Sequence, residues 1–141
     1  MRHWFISILF VVSTAGAAIA QQQSPVVRQC VLAARGEEAM LACHKAEYAR
    51  QDKRLNDAFR ALVPIAGQNA GVNANPDVES TRKSLRAAQQ AWIAFRDKEC
   101  AWQGERYARG PDIEMEETLC LGRITARRAD ELEALVKLYK N

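Results

Sequence analysis

The chain has 141 residues, of which 48% are hydrophobic and 26% charged, and this size suits one folded domain. Its formal net charge of +3, from 20 basic and 17 acidic residues, is too small to favour nucleic acid or an anionic membrane as a partner. Acidic and basic residues are interspersed along the chain, which is typical of a solvated protein surface.

The first 20 residues have the pattern of a secretory signal peptide. Arg2 and His3 form a short basic start, residues 4–12 are almost wholly apolar, and residues 18–20 have the A-x-A pattern that a signal peptidase recognises. The apolar run is too short to cross a bilayer comfortably. We therefore predict a signal peptide over 1–20, with cleavage after Ala20.

The predicted mature chain is small and almost neutral. Removal of residues 1–20 leaves 121 residues with 19 basic and 17 acidic side chains, a net charge of +2. The cysteine nearest to the cleavage site is Cys30, too far away to carry a lipid there. We expect a periplasmic or secreted protein that is soluble and has no membrane anchor after cleavage.

The mature chain begins with a predicted mobile leader over residues 21–29, followed by helical sequence. Val26–Ala34 favours a short helix that stops at Gly36. From Glu37 onwards apolar residues recur at helical spacing, with Lys, Arg and Gln between them; they are Leu41, Tyr48, Leu55, Phe59 and Leu62. The end of this helix is predicted at Pro64 and at the segment 67–75, which is rich in Gly, Asn and Ala and is expected to be a loop.

A second long helix has a clear start signal. Asn75 is suited to cap free backbone amides, and Pro76 fits the first helical position. The predicted core face of this helix is formed by Leu85, Ala88, Trp92, Phe95 and Trp102. Gly110 and Pro111 interrupt the pattern and therefore predict a turn.

The third long helix begins at Pro111-Asp112. Its apolar face is formed by Ile113, Leu121, Ile124, Leu132, Leu135 and Tyr139. The chain therefore predicts an all-α fold over residues 30–141, a small antiparallel bundle of three long helices plus a short N-terminal helix.

Four cysteines follow the signal peptide: Cys30, Cys43, Cys100 and Cys120. An even number of cysteines in an exported chain favours disulfides over free thiols or zinc. Three pairings are compatible with four cysteines, and their spacing alone does not select one.

The helix layout does select a pairing. In a helical hairpin, residues equally distant from the turn lie at the same height, and Cys100 and Cys120 are each ten residues from Gly110. The small residues Gly104 and Gly122 should let the two backbones approach as a disulfide requires. We therefore predict a Cys100–Cys120 disulfide.

The same argument applies to the first hairpin. Cys30 and Cys43 lie on either side of Gly36, where the short helix is expected to turn back on the first long one. We therefore predict a second disulfide, Cys30–Cys43.

Two charged residues occupy positions where the helical pattern calls for apolar ones. Asp52 lies on the apolar face of the first long helix and Arg128 on that of the third, and hairpin geometry places both in one layer with Trp92. Arg96, one turn from Trp92, is a second candidate partner for Asp52. A partly buried carboxylate needs such a partner. We favour a structural ion pair that fixes helix register over an anion-binding site.

No residues form a recognisable catalytic set. His44 is the single histidine of the mature chain, and the adjacent Cys43 is expected to be oxidised, so a metal site is not predicted. Three glutamates near the start of the third helix complement its dipole; they are Glu114, Glu116 and Glu117. We expect no enzyme activity, no cofactor and no metal.

The tip of the second hairpin is the best candidate for a partner contact. The segment 102–112 combines aromatic, glycine and charged residues in a turn that should be exposed. Its candidate contact residues are Trp102, Tyr107 and Asp112.

The segment 91–100, Ala-Trp-Ile-Ala-Phe-Arg-Asp-Lys-Glu-Cys, carries a family resemblance. It is similar to the W-x-x-F/Y-R-D-x-E-C signature of the LprI-like domain, a family named for a mycobacterial lysozyme inhibitor. The signature residues here are Trp92, Phe95, Arg96, Asp97, Glu99 and Cys100. Further positions resemble the family's first and last helices: Met40, Cys43, Tyr48, Asp52, Leu55, Asn56, Cys120, Leu121, Arg123, Thr125, Arg128, Glu131 and Leu132.

The resemblance spans about residues 30 to 135 and implies an exported helical domain of the bacterial envelope without enzymatic activity. It also implies a binding protein that inhibits a lysozyme by steric contact. The alternative is a structural or accessory periplasmic protein that binds another envelope partner and leaves lysozyme unaffected. The sequence indicates no oligomeric state.

Overall fold

The computed structural model describes residues 24–67, 77–107, 109–110 and 112–140. The predicted signal peptide, 1–20, lies outside these residues. Within them the chain forms four α-helices and no strand, which confirms the all-α prediction; the helices are α1 (Pro25–Ala33), α2 (Glu37–Leu62), α3 (Val78–Tyr107) and α4 (Asp112–Lys140). None of these helices combines the length and apolar character that a membrane span requires.

Helix α1 begins earlier than the sequence pattern suggested. The Ser24 hydroxyl accepts a hydrogen bond from the Val27 amide at 3.3 Å, and Pro25 occupies the start of the helix, where its missing N–H costs nothing. The predicted mobile leader over 21–29 is therefore corrected, because residues 25–29 are helical. Residues 21–23 lie outside the described part of the chain.

Helix α3 starts at Val78 with a different cap from the one predicted. The Asp77 carboxylate accepts a hydrogen bond from the Ser80 amide at 3.0 Å, which satisfies one of the free N–H groups at the helix start. The predicted start at Asn75 and Pro76 lies outside the described residues. At the other end of the connection, α2 ends at Leu62 and a turn follows over 63–67.

Helix α4 packs against both α2 and α3, and α1 packs against α2. Tyr48 faces Gly122, and Arg54 bonds Glu133 further along both helices, so α2 and α4 run parallel. Helix α3 runs antiparallel to α4, since Cys100 and Cys120 meet across the second hairpin. The core is a buried cluster contributed by α2 and α4, formed by Leu55, Ala58, Leu62, Ala129 and Leu132.

Both predicted disulfides are present. Cys30 and Cys43 join α1 to α2 with a Cα–Cα distance of 5.8 Å, and Cys100 and Cys120 join α3 to α4 at 5.4 Å. Each bond crosses a short hairpin, which is why the distance from the turn was sufficient to predict the pairing.

The two glycines expected beside the second disulfide have different roles. A Cβ on Gly104 would lie 2.9 Å from the carbonyl oxygen of Ile113, so this glycine does permit the close approach of α3 and α4. The nearest atoms to a Cβ on Gly122 would belong to Tyr48 on α2, at 3.9 Å. The expectation for Gly122 is corrected, because it faces α2 rather than α3.

Candidate functional site

Asp52 forms its ion pair with Arg96 of α3. Arg96 donates from Nη1 to Asp52 Oδ1 at 3.1 Å and from Nε to Asp97 Oδ1 at 2.8 Å. The Arg96 side chain is only 8% exposed, whereas that of Asp52 is 38% exposed. Burial alone lowers the pKa of Arg96, but its hydrogen bonds and nearby acidic groups outweigh this effect and raise that pKa.

The predicted Asp52–Arg128 pair is corrected. Arg128 donates to Gln89 at 3.3 Å and to Glu131 at 2.8 Å. The layer around Trp92 nevertheless exists, because the guanidinium carbons of Arg96 and Arg128 both lie over its ring, at 5.5 and 5.9 Å from the centroid. Both arginines therefore pack against the Trp92 ring, and of the two Arg96 also forms an ion pair with α2.

The signature residues of α3 divide between the interior and the surface. Cys100 is fully buried in its disulfide, and Glu99 accepts a hydrogen bond from Gln103 at 2.7 Å. Phe95 is 58% exposed and Trp102 is 49% exposed, so their assignment to the core face is corrected. Helical spacing indicated that they share a face, but neighbouring helices cover only the part of that face that contains Leu85 and Trp92.

The hairpin tip carries an exposed aromatic residue and exposed acidic residues. The guanidinium carbon of Arg106 lies 5.1 Å from the centroid of the exposed Trp102 ring. Asp112 is exposed and its carboxyl lies close enough to Glu37 to hydrogen-bond with it, which raises the pKa of Glu37. The side chain of Tyr107 lies outside the described residues.

A cavity between helices was not predicted from the sequence. It has a volume of about 720 Å³ and lies among α1, α2 and α4, with Gln103 contributed by α3. Its polar lining includes His44, Glu47, Arg123 and Arg127. No sequence signal marks this cavity, because its residues come from four separate helices.

The candidate metal ligands in the described part of the chain are not clustered. No group of three His, Cys, Asp or Glu side chains there is arranged to hold an ion, and all four cysteines form disulfides. Burial lowers the pKa of the single described histidine, His44, despite the opposing charge of Glu47.

These features define a class: a small all-α domain of four helices with two hairpin-spanning disulfides and a charged, aromatic tip. The chain belongs to the lysozyme inhibitor LprI family, which it matches over residues 30–132. It is also 31% identical over 129 residues to the uncharacterized protein R02472 of Rhizobium meliloti (strain 1021), and the match covers 88% of each chain. No solved structure matches the chain significantly.

Proposed function

We propose that this protein is an exported binding protein that inhibits a lysozyme by covering its catalytic cleft. Membership of the lysozyme inhibitor family over residues 30–132 is the observation that carries the proposal. The two disulfides support an oxidising compartment outside the cytoplasm, where a lysozyme would be encountered.

We place the contact at the tip of the bundle, in a surface that we call the tip face. It consists of Trp102, Glu37, Asp112 and Glu114, which lie near the end of α3 and in the first turns of α2 and α4. Trp102 supplies an exposed aromatic anchor, and aromatic anchors within a polar rim are typical of interface hot spots.

The acidic side chains of the tip face complement a strongly basic lysozyme. Glu37 and Asp112 are close enough to disfavour ionisation of Glu37, so a cation from a partner would relieve their repulsion. Glu114 already pairs with Lys45 at 2.5 Å, but both side chains are more than half exposed. Local attraction of this kind speeds association even though the whole chain is mildly basic.

The direct test is a titration of the mature chain, from residue 21, against a lysozyme that clears a cell-wall suspension. We expect micromolar protein to slow clearing in proportion to its concentration. Trp102→Ala should weaken inhibition at least tenfold, on the order expected for loss of a hot-spot aromatic. Phe95→Ala is the matched control, because Phe95 is also an exposed aromatic residue and lies two turns away on the same helix.

Two results would contradict the proposal at different levels. Unaltered clearing at micromolar protein would exclude inhibition and leave the accessory envelope protein as the function. If Trp102→Ala still inhibits and Phe95→Ala does not, the protein is an inhibitor but its contact with lysozyme lies on α3 near Phe95 rather than at the tip face. Circular dichroism melts of both variants verify that each is folded.

A further inference from the structure

We propose that the cavity among α1, α2 and α4 is a binding site for a small organic anion. Its volume of about 720 Å³ is within the range of small-molecule sites in proteins, about 300–1,000 Å³. This inference goes beyond the proposed inhibition of lysozyme and does not depend on it.

Helix α1 forms one wall of the cavity and is fixed in place. The Cys30–Cys43 disulfide ties it to α2, and the Ser24 hydroxyl donates to Glu47 at 3.0 Å. Val27 is the buried residue of α1 and lines the cavity. The wall is therefore preformed and needs no rearrangement to receive a ligand.

Most acidic side chains that line the cavity already have arginine partners. Glu47 accepts hydrogen bonds from Arg50 and Gln51, each at 2.6 Å, and also from Ser24. Asp130 accepts one from Arg54 at 2.8 Å. These contacts leave few acidic groups to oppose an incoming anion.

Two arginines of the cavity lack such compensation. Arg123 and Arg127 lie one turn apart on α4, and like charges at this spacing destabilise a helix. Arg123 donates to the neutral amide oxygen of Gln103 at 3.1 Å, and within the described residues no carboxylate pairs with either arginine. Glu116 is the lining carboxylate that remains to oppose them.

The lining indicates the chemical class of the ligand. Guanidinium groups bind carboxylate and phosphate oxygens through paired hydrogen bonds, so two adjacent ones favour an anionic group. Val27, Leu119 and Ala126 supply an apolar surface for a carbon skeleton. Burial lowers the pKa of His44, which favours its neutral form as a hydrogen-bonding group.

Calorimetric titration of the intact mature chain tests this assignment. The probes are N-acetylmuramic acid, which bears a carboxylate, the neutral N-acetylglucosamine as its matched control, and inorganic phosphate. We expect N-acetylmuramic acid to bind and the neutral sugar to fail. Binding of inorganic phosphate without N-acetylmuramic acid would indicate a site for inorganic anions and overturn the assignment to an organic one.

Arginine variants locate the binding. The double variant Arg123→Gln/Arg127→Gln should lower the affinity for the anion at least tenfold, on the order expected for loss of a charge-assisted hydrogen bond. Lys137→Gln, an exposed cation near the end of the same helix, should bind as the wild type does. Thermal melts verify the folding of each variant.

The assignment is overturned if N-acetylmuramic acid does not bind at millimolar concentration, or if the double variant binds it with wild-type affinity. It is also overturned if the neutral sugar binds as well as N-acetylmuramic acid, since the arginines would then have no role. None of these measurements uses lysozyme clearing. A failure of the anion-site proposal can therefore be distinguished from a failure of the proposed lysozyme inhibition.

Discussion

The guanidinium of Arg96 on α3 binds the carboxylate of Asp52 on α2 at 3.1 Å while it covers the ring of Trp92. The same guanidinium also lies 5.6 Å from the Tyr48 centroid. Arg96 therefore links α2 and α3 through charge and through aromatic packing at once.

The two members of this pair should differ in their effect on stability. Asp52→Ala should lower the free energy of unfolding by about 1 kcal/mol, because Asp52 is 38% exposed and Arg96 keeps Asp97 as a partner. Arg96→Ala should cost about 3 kcal/mol, since it also removes buried packing against Trp92. Urea denaturation measures both, and equal losses would contradict this division of roles.

The two glycines give a matched test of helix approach. Gly104→Ala should destabilise the fold by about 1–3 kcal/mol, because its Cβ would meet the Ile113 carbonyl at 2.9 Å. Gly122→Ala should be neutral or stabilise by up to about 1 kcal/mol, since there is room for a methyl group and alanine favours the helix. A melting temperature lowered more by the Gly122 substitution would refute this packing.

The disulfides should differ in their resistance to reduction. Cys30 is exposed, whereas Cys100 and Cys120 are 0% and 3% exposed. A low concentration of dithiothreitol should therefore reduce Cys30–Cys43 first, because exchange requires access to a sulfur. Alkylation followed by peptide mass mapping reports the order. Early loss of Cys100–Cys120 from the folded protein would contradict the prediction.

Thr125 offers a substitution that should not destabilise. It is fully buried, and within the described structure its hydroxyl has no hydrogen-bond partner. Thr125→Val removes an unsatisfied polar group and nearly preserves shape, so stability should rise by about 1 kcal/mol. A chemical denaturation midpoint shifted downwards would show that the hydroxyl does have a stabilising contact.

Glu47 should make stability depend on acid pH. Burial alone raises its pKa, but hydrogen bonds from Arg50, Gln51 and Ser24 outweigh burial and hold that pKa below its ordinary value of 4.5. The stabilisation that ionised Glu47 provides is fully present above its pKa in the unfolded chain. It is lost as the pH falls from about 4.5 through the lowered pKa of Glu47 in the folded protein. Glu47→Gln should flatten this part of a stability–pH curve.

The control for this dependence is Glu38→Gln, since Glu38 is an exposed residue of the first turn of the same helix. The acid slope should change less in this control than in Glu47→Gln, because the helix dipole contributes little at an exposed site. An unchanged slope in Glu47→Gln would assign the acid dependence to other carboxylates.

The sequence by itself determined the helices and both disulfides, because these depend on local features. Gly36 and Gly110 mark turns with φ of +90° and +65°, and such turns fix which residues of adjacent helices lie at the same height. The family signature on α3 likewise lies in one continuous segment, so it could be recognised without coordinates.

Only the tertiary structure decided which arginine pairs with Asp52, which aromatic residues remain exposed and where a cavity forms. These outcomes depend on the rotation of each helix about its axis and on the spacing between helices. Periodicity defines an apolar face, but it does not state whether a neighbour covers all of it. Phe95 and Trp102 share such a face on α3, and packing leaves both of them open to solvent.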